Sequence, residues 1–188
     1  MKNRAVVLLL LVAFATTAWS CRSAAPSPYS TPSEHSRCTV EAERLSKAGA
    51  EVAEKDPDEA ERLFRESLTQ DLFYGPAHNN LGVLYLKQQK LYEAANEFEW
   101  AKKLMPGHPD PRVNLGITLE MAGKVEDALA SYRAALEVYP DYLPAIEGVA
   151  SLTMRAGKKD ERLAGWLDAI ALRGETQGWR EWAITRRR

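Results

Sequence analysis

Residues 81–106 read LGVLYLKQQKLYEAANEFEWAKKLMP, and residues 115–140 read LGITLEMAGKVEDALASYRAALEVYP. Superposed, the two stretches align Leu81-Gly82 with Leu115-Gly116, Ala94 with Ala128, Phe98 with Tyr132, Ala101 with Ala135 and Pro106 with Pro140, always at one fixed offset. The same offset carried backward meets Ala60 and Phe64, and carried forward meets Trp166 and Ala169. One period kept by so many kinds of position predicts a stack of like units, each leaning on the next.

Each unit reads as two helices. Leu81, Val83, Leu84 and Tyr85 fit a 3.6-residue apolar face, a turn follows at Gln88 to Lys90, and Ala94, Ala95, Phe98, Ala101 and Leu104 mark a second face that Pro106-Gly107 ends. The small residues suggest close approach. Gly82 and Ala94 are expected to face each other inside one hairpin, and Phe98 and Ala101 to pack on the next hairpin.

These residues resemble the tetratricopeptide repeat, W-x2-L-G-x2-Y, then A-x3-F-x2-A, then P in a 34-residue frame. Unit 75–108 matches at Leu81, Gly82, Tyr85, Ala94, Phe98, Ala101 and Pro106, with His78 in the Trp place. Unit 109–142 matches at Leu115, Gly116, Ala128, Tyr132, Ala135 and Pro140, with Arg112 for Trp and Leu119 for Tyr. The flanking units, 41–74 and 143–176, keep Ala60, Phe64, Trp166 and Ala169 but have Lys47-Ala48 and Val149-Ala150 in the Leu-Gly place. The resemblance implies an all-α solenoid of about four antiparallel hairpins over residues 41–176. Residues 177–188 follow as a capping helix and basic tail, with Trp179, Trp182 and Ala183 on one face.

In such a stack the first helix of each hairpin lines a concave groove where peptides bind. In this frame the groove takes Leu45, Gly49 and Val52 from the first unit, then Asn79, Val83 and Leu86. The third unit adds Asp110, Val113, Ile117 and Glu120, and the fourth Glu147, Ser151 and Met154. The lining implies an apolar partner segment, helical or extended, with basic flanks. Relatives that clamp a carboxylate need Lys and Asn on one first helix and Lys or Arg on a third. Here Leu45, Gly49 and Asp110, or one unit later Asn79, Val83, Pro144 and Gly148, stand in those places. The cations are missing, so this is not a carboxylate clamp.

The first twenty residues read as an export signal: Lys2 and Arg4, an apolar run from Ala5 to Phe14, then small residues and a Trp. Ala18-Trp19-Ser20-Cys21 resembles the lipobox of bacterial lipoproteins, which implies lipidation of Cys21 and membrane anchoring in the cell envelope. Ala18-Trp19-Ser20 also fits an ordinary A-x-A-like cleavage site that would release a periplasmic protein. Residues 21–40 begin with that cysteine and continue as a Pro/Ser-rich tether whose composition predicts disorder. The only other cysteine, Cys38, is an unpaired thiol if Cys21 carries lipid and a possible disulfide partner if it does not.

The chain has 25 basic and 26 acidic residues, a net charge of −1, and no basic stripe interleaved with aromatics, which argues against nucleic acid. His35, His78 and His108 are scattered, and no HExxH, GxGxxG, GxxxxGK[ST] or GxSxG occurs. No metal or cofactor is expected, and no catalysis. The reading is a non-catalytic adaptor or scaffold in the bacterial envelope; the alternative is an accessory subunit of an envelope enzyme such as a cell-wall hydrolase or protease.

Overall fold

The computed structural model describes residues 38–187, and those residues form nine α-helices and no strands. In chain order they are α1 (Thr39–Val52), α2 (Pro57–Gln70), α3 (Gly75–Lys87), α4 (Leu91–Leu104), α5 (Asp110–Met121), α6 (Val125–Val138), α7 (Leu143–Arg155), α8 (Leu163–Arg173) and α9 (Gln177–Arg186). Pro57, Pro76, Pro111 and Pro144 stand in the first turns of α2, α3, α5 and α7, where the missing N–H costs nothing. Asp56 caps α2 by accepting from the Glu59 N–H at 3.0 Å, and Thr176 caps α9 by accepting from the Trp179 N–H at 3.2 Å.

Within hairpins the turns repeat as well as the helices. Gln89, Gly123 and Gly157 all adopt left-handed backbone, φ 59°, 73° and 63°, and recur one period apart. The residue after each closes a six-residue loop: the Lys90, Lys124 and Lys158 N–H groups donate to Tyr85, Leu119 and Thr153 carbonyls at 2.8–2.9 Å. The first hairpin turns differently. There Lys55 and Asp56 both donate to Val52, and no described residue of that turn has positive φ.

The close approach falls elsewhere than the sequence suggests. A Cβ on Gly82 would stand 2.7 Å from the Phe98 ring, so the glycine receives Phe98 of its own hairpin rather than facing Ala94. Gly116 receives Tyr132 in the same pose, also at 2.7 Å. The first unit is therefore less degenerate than it reads. Gly49 receives Phe64 at 2.7 Å, and these two lie one position closer in sequence than the partners of the other two pairs. That shorter path displaces the Gly of α1 from the place that the repeat ruler assigns to it.

Each helix packs on its chain neighbours, and the odd helices also touch one another, α1 on α3, α3 on α5 and α5 on α7. Odd helices thus form the inner layer and even helices the outer. The buried side chains form two cores. One gathers Phe64, Leu81, Leu84, Tyr85, Phe98 and Leu115; the other gathers Val113, Leu129, Tyr132, Ile146, Trp166 and Ile170, with Ala183 of α9. Ala183 extends the series Leu81, Leu115, Val149 by another period, so α9 occupies the first-helix place of a fifth, incomplete repeat. Trp179 and Trp182 are half-buried against the second core, their rings edge to face at 5.2 Å.

Candidate functional site

The inner layer carries a polar ladder beside an apolar strip. Asn80 donates to the Ser46 hydroxyl at 3.2 Å, and Asn114 donates to Asn79 Oδ1 at 3.1 Å, stitching α1 to α3 and α3 to α5. Lys87 pairs with Glu54 beside the end of α1, and Arg155 of α7 pairs with Glu120 of α5. Between these run Val83 and Leu86, half-buried on the first core, and Ile117 and Met121, 37% and 52% exposed. Met154 is half-buried on the second core, and Ser151 lies half-buried one turn earlier on α7.

Not every residue assigned to the groove lies open. Val113 is only 5% exposed and belongs to the second core, and Leu45, 4% exposed, fills the place in α1 that His78 fills in α3. Gly49 is buried under Phe64. Glu147 is 6% exposed and accepts from the Glu175 N–H at 3.3 Å. Val113 is covered by α7 and Glu147 by the α8–α9 turn, whereas Gly49 is closed by the Phe64 ring of its own hairpin.

The acidic side chains are already engaged. Glu120 accepts from the Tyr132 hydroxyl at 2.9 Å while pairing with Arg155, and Asp110, exposed, accepts from the Tyr142 hydroxyl. Burial, aided by the neighbouring carboxylates, holds both tyrosine hydroxyls far above their usual range. Burial likewise raises the Glu147 carboxyl, although the Glu175 N–H partly offsets this. The basic flanks expected of a ligand lose their main motive, because the cation facing Glu120 is the chain's own Arg155.

Met121 and Arg155 are inner-face residues that the sequence reading missed. Met121 lies one turn after Ile117, and Lys87, Met121 and Arg155 keep the repeat spacing, so the period alone could have found that position. His78 is no ligand: its Nδ1 faces Glu97 at 2.7 Å, its Nε2 faces the Leu72 carbonyl at 2.9 Å, and its ring stacks on Trp100. Among the described residues no group of three or more His, Cys, Asp and Glu could hold a metal, and no helix is long and apolar enough to cross a membrane. Cys38, at the start of α1, is disulfide-bonded. Cys21 lies outside the described residues, as does the signal segment.

Paired antiparallel helices with an inner layer of first helices define a helical-repeat interaction scaffold. The tetratricopeptide repeat family model matches residues 45–109 and 81–142, and this chain belongs to that family. Over 98 residues, 52% of the chain, it is 26% identical to tetratricopeptide repeat protein 28 of Mus musculus, covering 4% of that protein. Over 100 residues, 50% of the chain, it is 30% identical to the probable UDP-N-acetylglucosamine–peptide N-acetylglucosaminyltransferase SPINDLY of Hordeum vulgare, covering 11% of it. The chain therefore spans a small part of the curated relatives it matches. In fold it is similar to the first such domain of Spaghetti (RPAP3) bound to an HSP90 peptide, with TM-score 0.61, 18% identity, 65% of this chain and 98% of that one. MamA is similar over 77% of each chain, with TM-score 0.59 and 17% identity.

Proposed function

We propose that this chain is a non-catalytic adaptor of the bacterial cell envelope that seats an apolar segment of another protein on its inner face. The observation that carries this reading is the strip Val83, Leu86, Ile117 and Met121, where two large apolar side chains stand open beside two half-buried ones. Its carboxylates are satisfied within the chain, so recognition rests on apolar contact, and charge adds selectivity at the rim. The Spaghetti domain holds a peptide, and a peptide or helical segment is the ligand class proposed here too. A terminal carboxylate is not, because Asn114 spends its amide on Asn79 and no cation stands in the clamp positions.

Export rests on the leader at residues 1–20, and anchoring on the lipobox-like approach to Cys21. The disulfide at Cys38 suits an oxidising compartment. The chain's only other cysteine is Cys21, and a Cys21 bonded to Cys38 carries no lipid, so the same bond speaks for a released protein, and intact mass separates the two states.

The groove is tested by titrating the partner, recovered by cross-linking in the native envelope, against variants. Covering each apolar side chain contributes roughly 1–2 kcal/mol. Leu86→Ser combined with Ile117→Ser should thus weaken binding by roughly 30-fold or more. Glu93→Gln and Glu137→Gln on outer helices serve as controls, since Glu97 is needed by His78. Normal binding by the inner-face variant and loss by the outer one would move recognition to the convex side.

A further inference from the structure

The first helices α3, α5 and α7 end on Lys87, Met121 and Arg155, each a full repeat from the last. Because α3 packs on α5 and α5 on α7, these residues form a row along one rim of the apolar strip. A thioether stands there between two cations. Met121 is 52% exposed, and Ile117 lies one turn before it.

Each cation has an acidic neighbour, and in both pairs the positive member is the one with something left to offer. Glu120 is held from within the layer: it accepts from the Tyr132 hydroxyl at 2.9 Å, and its side chain is 23% exposed. The Arg155 side chain is 62% exposed and reaches Glu120 through Nη2 alone. The rest of its donor fork meets no acceptor among the described residues. Lys87 pairs with Glu54, which is 78% exposed on the turn after α1 and makes no other bond among the described residues. A pair so exposed to water is held weakly, so an incoming carboxylate displaces Glu54 from Lys87 at little cost. Asp110 stands at the opposite end of α5, engaged by Tyr142. The rim beside Ile117 and Met121 therefore turns positive charge to solvent.

We infer that the segment seated on the inner face is apolar at its centre and acidic at both ends. An apolar side chain covers Ile117 and Met121, one carboxylate meets Arg155, and a second meets Lys87. The inference rests on the inner-face reading above, and it reverses the sign of the flanks that the sequence suggested. The carboxylates are side chains of the segment, and no chain terminus is needed. Neighbouring helices pack about 8–10 Å apart, which roots Lys87 and Arg155 about two such spacings from each other. A segment extended across the first helices then carries its acids about five or six residues apart. Arg155 gives the more selective contact, because its planar fork fixes the direction of a carboxylate while the Lys87 ammonium acts as a point charge.

The test selects random peptides displayed on phage against the immobilised, purified protein. Binders should carry Asp or Glu on both sides of an apolar core. Selection on Lys87→Met with Arg155→Met should keep the apolar core and lose the acids. Lys103→Gln, which removes a cation from an outer helix, should change neither. A selected peptide is then remade with its acids as amides and titrated. The parent should bind it roughly five-fold more weakly than the acidic form, and the Met pair should bind both forms alike. The first of these comparisons is made on the parent, so it decides the matter whatever the Met pair does to stability. Apolar binders without acids, equal affinity of the parent for both forms, or an acid preference that survives the Met pair overturns the inference and leaves the groove standing. Absence of binders, or binding that Leu86→Ser with Ile117→Ser does not reduce, overturns the groove reading and this inference with it.

Discussion

The two cores are built on the same plan and finished differently. In the N-terminal one, Phe64 and Phe98 each plug the glycine of the facing helix, and neither ring carries a polar atom. In the C-terminal one the plug is Tyr132, and its ring meets two glycines, Gly116 of its own hairpin and Gly148 of the next, at 2.7 and 2.6 Å from the Cβ positions they lack. Its hydroxyl continues through the layer to Glu120 on the inner face and, through Glu120, to Arg155. The difference is one oxygen. It turns a packing residue into a link between the core and the groove, and it needs an acceptor at the right place. The repeat supplies one: a full period before Glu120 stands Leu86, and Leu86 belongs with Phe98 as Glu120 belongs with Tyr132.

The largest effects should come from filling the glycine seats. Gly82→Leu in the first core and Gly148→Leu in the second both put a branched side chain where even a Cβ is too close to a buried ring. Each should cost about 3 kcal/mol, the upper end for overpacking, and Gly148→Leu should cost more because Tyr132 is held from both sides. Thermal melts read this directly, with Gly165→Ala as control, since nothing lies within 4 Å of a Cβ there. If Gly148→Leu melts with the parent, Tyr132 is not the shared plug of two hairpins.

A subtler exchange asks whether the two cores are interchangeable. Phe98→Tyr would aim a hydroxyl toward Leu86 and leave it buried without a partner, at about 1–3 kcal/mol. Tyr132→Phe deletes one hydrogen bond but leaves Glu120 paired with Arg155, and should cost about 0.5–1.5 kcal/mol. Adding Leu86→Glu to Phe98→Tyr should recover part of the loss. A double variant no more stable than Phe98→Tyr alone would mean that the oxygen's partner depends on more than this pair.

What was legible in the sequence follows the same division. The period, the hairpins and the fold were readable because packing repeats at every turn of the stack, and Phe98 and Tyr132 are marked by their spacing. The seat of each ring was not, because Ala94 and Gly82 look equally small in one dimension. Gly49 was missed for a different reason: a shorter turn breaks the ruler, and only the turn's hydrogen bonds reveal it. Of the residues assigned to the inner face, Val83 and Leu86 are half-buried and Ile117 is exposed. Val113 and Glu147 share their repeat position with half-buried Asn79 yet are covered, because coverage depends on how the following unit settles. Pairings such as Arg155 with Glu120 join positions far apart in the chain and leave no trace in a single sequence.

The smallest expected effect tests that last point, the covering of the fourth unit. Glu147 is a carboxyl in a place where the preceding unit has Val113, with one backbone donor 3.3 Å away. Burial raises it above its ordinary 4.5, the Glu175 N–H lowers it in part, and the nearby Glu175 charge raises it again. A carboxyl raised by folding binds its proton more tightly in the folded chain than in the unfolded one. Stability from this group is therefore full below the ordinary value and declines as pH climbs through the raised one. Carboxylates lowered by ion pairs, Glu41, Glu59 and Asp160 among them, act with the opposite sign, so the parent's own profile will not isolate Glu147. Glu147→Gln isolates it, because the amide oxygen still accepts from Glu175 while the titration is gone. The variant should melt with the parent near about pH 4 and above it, by on the order of 2 °C, near about pH 7.5. A difference that is flat across that range would show Glu147 to be solvated, and with it the α8–α9 turn to stand off from α7.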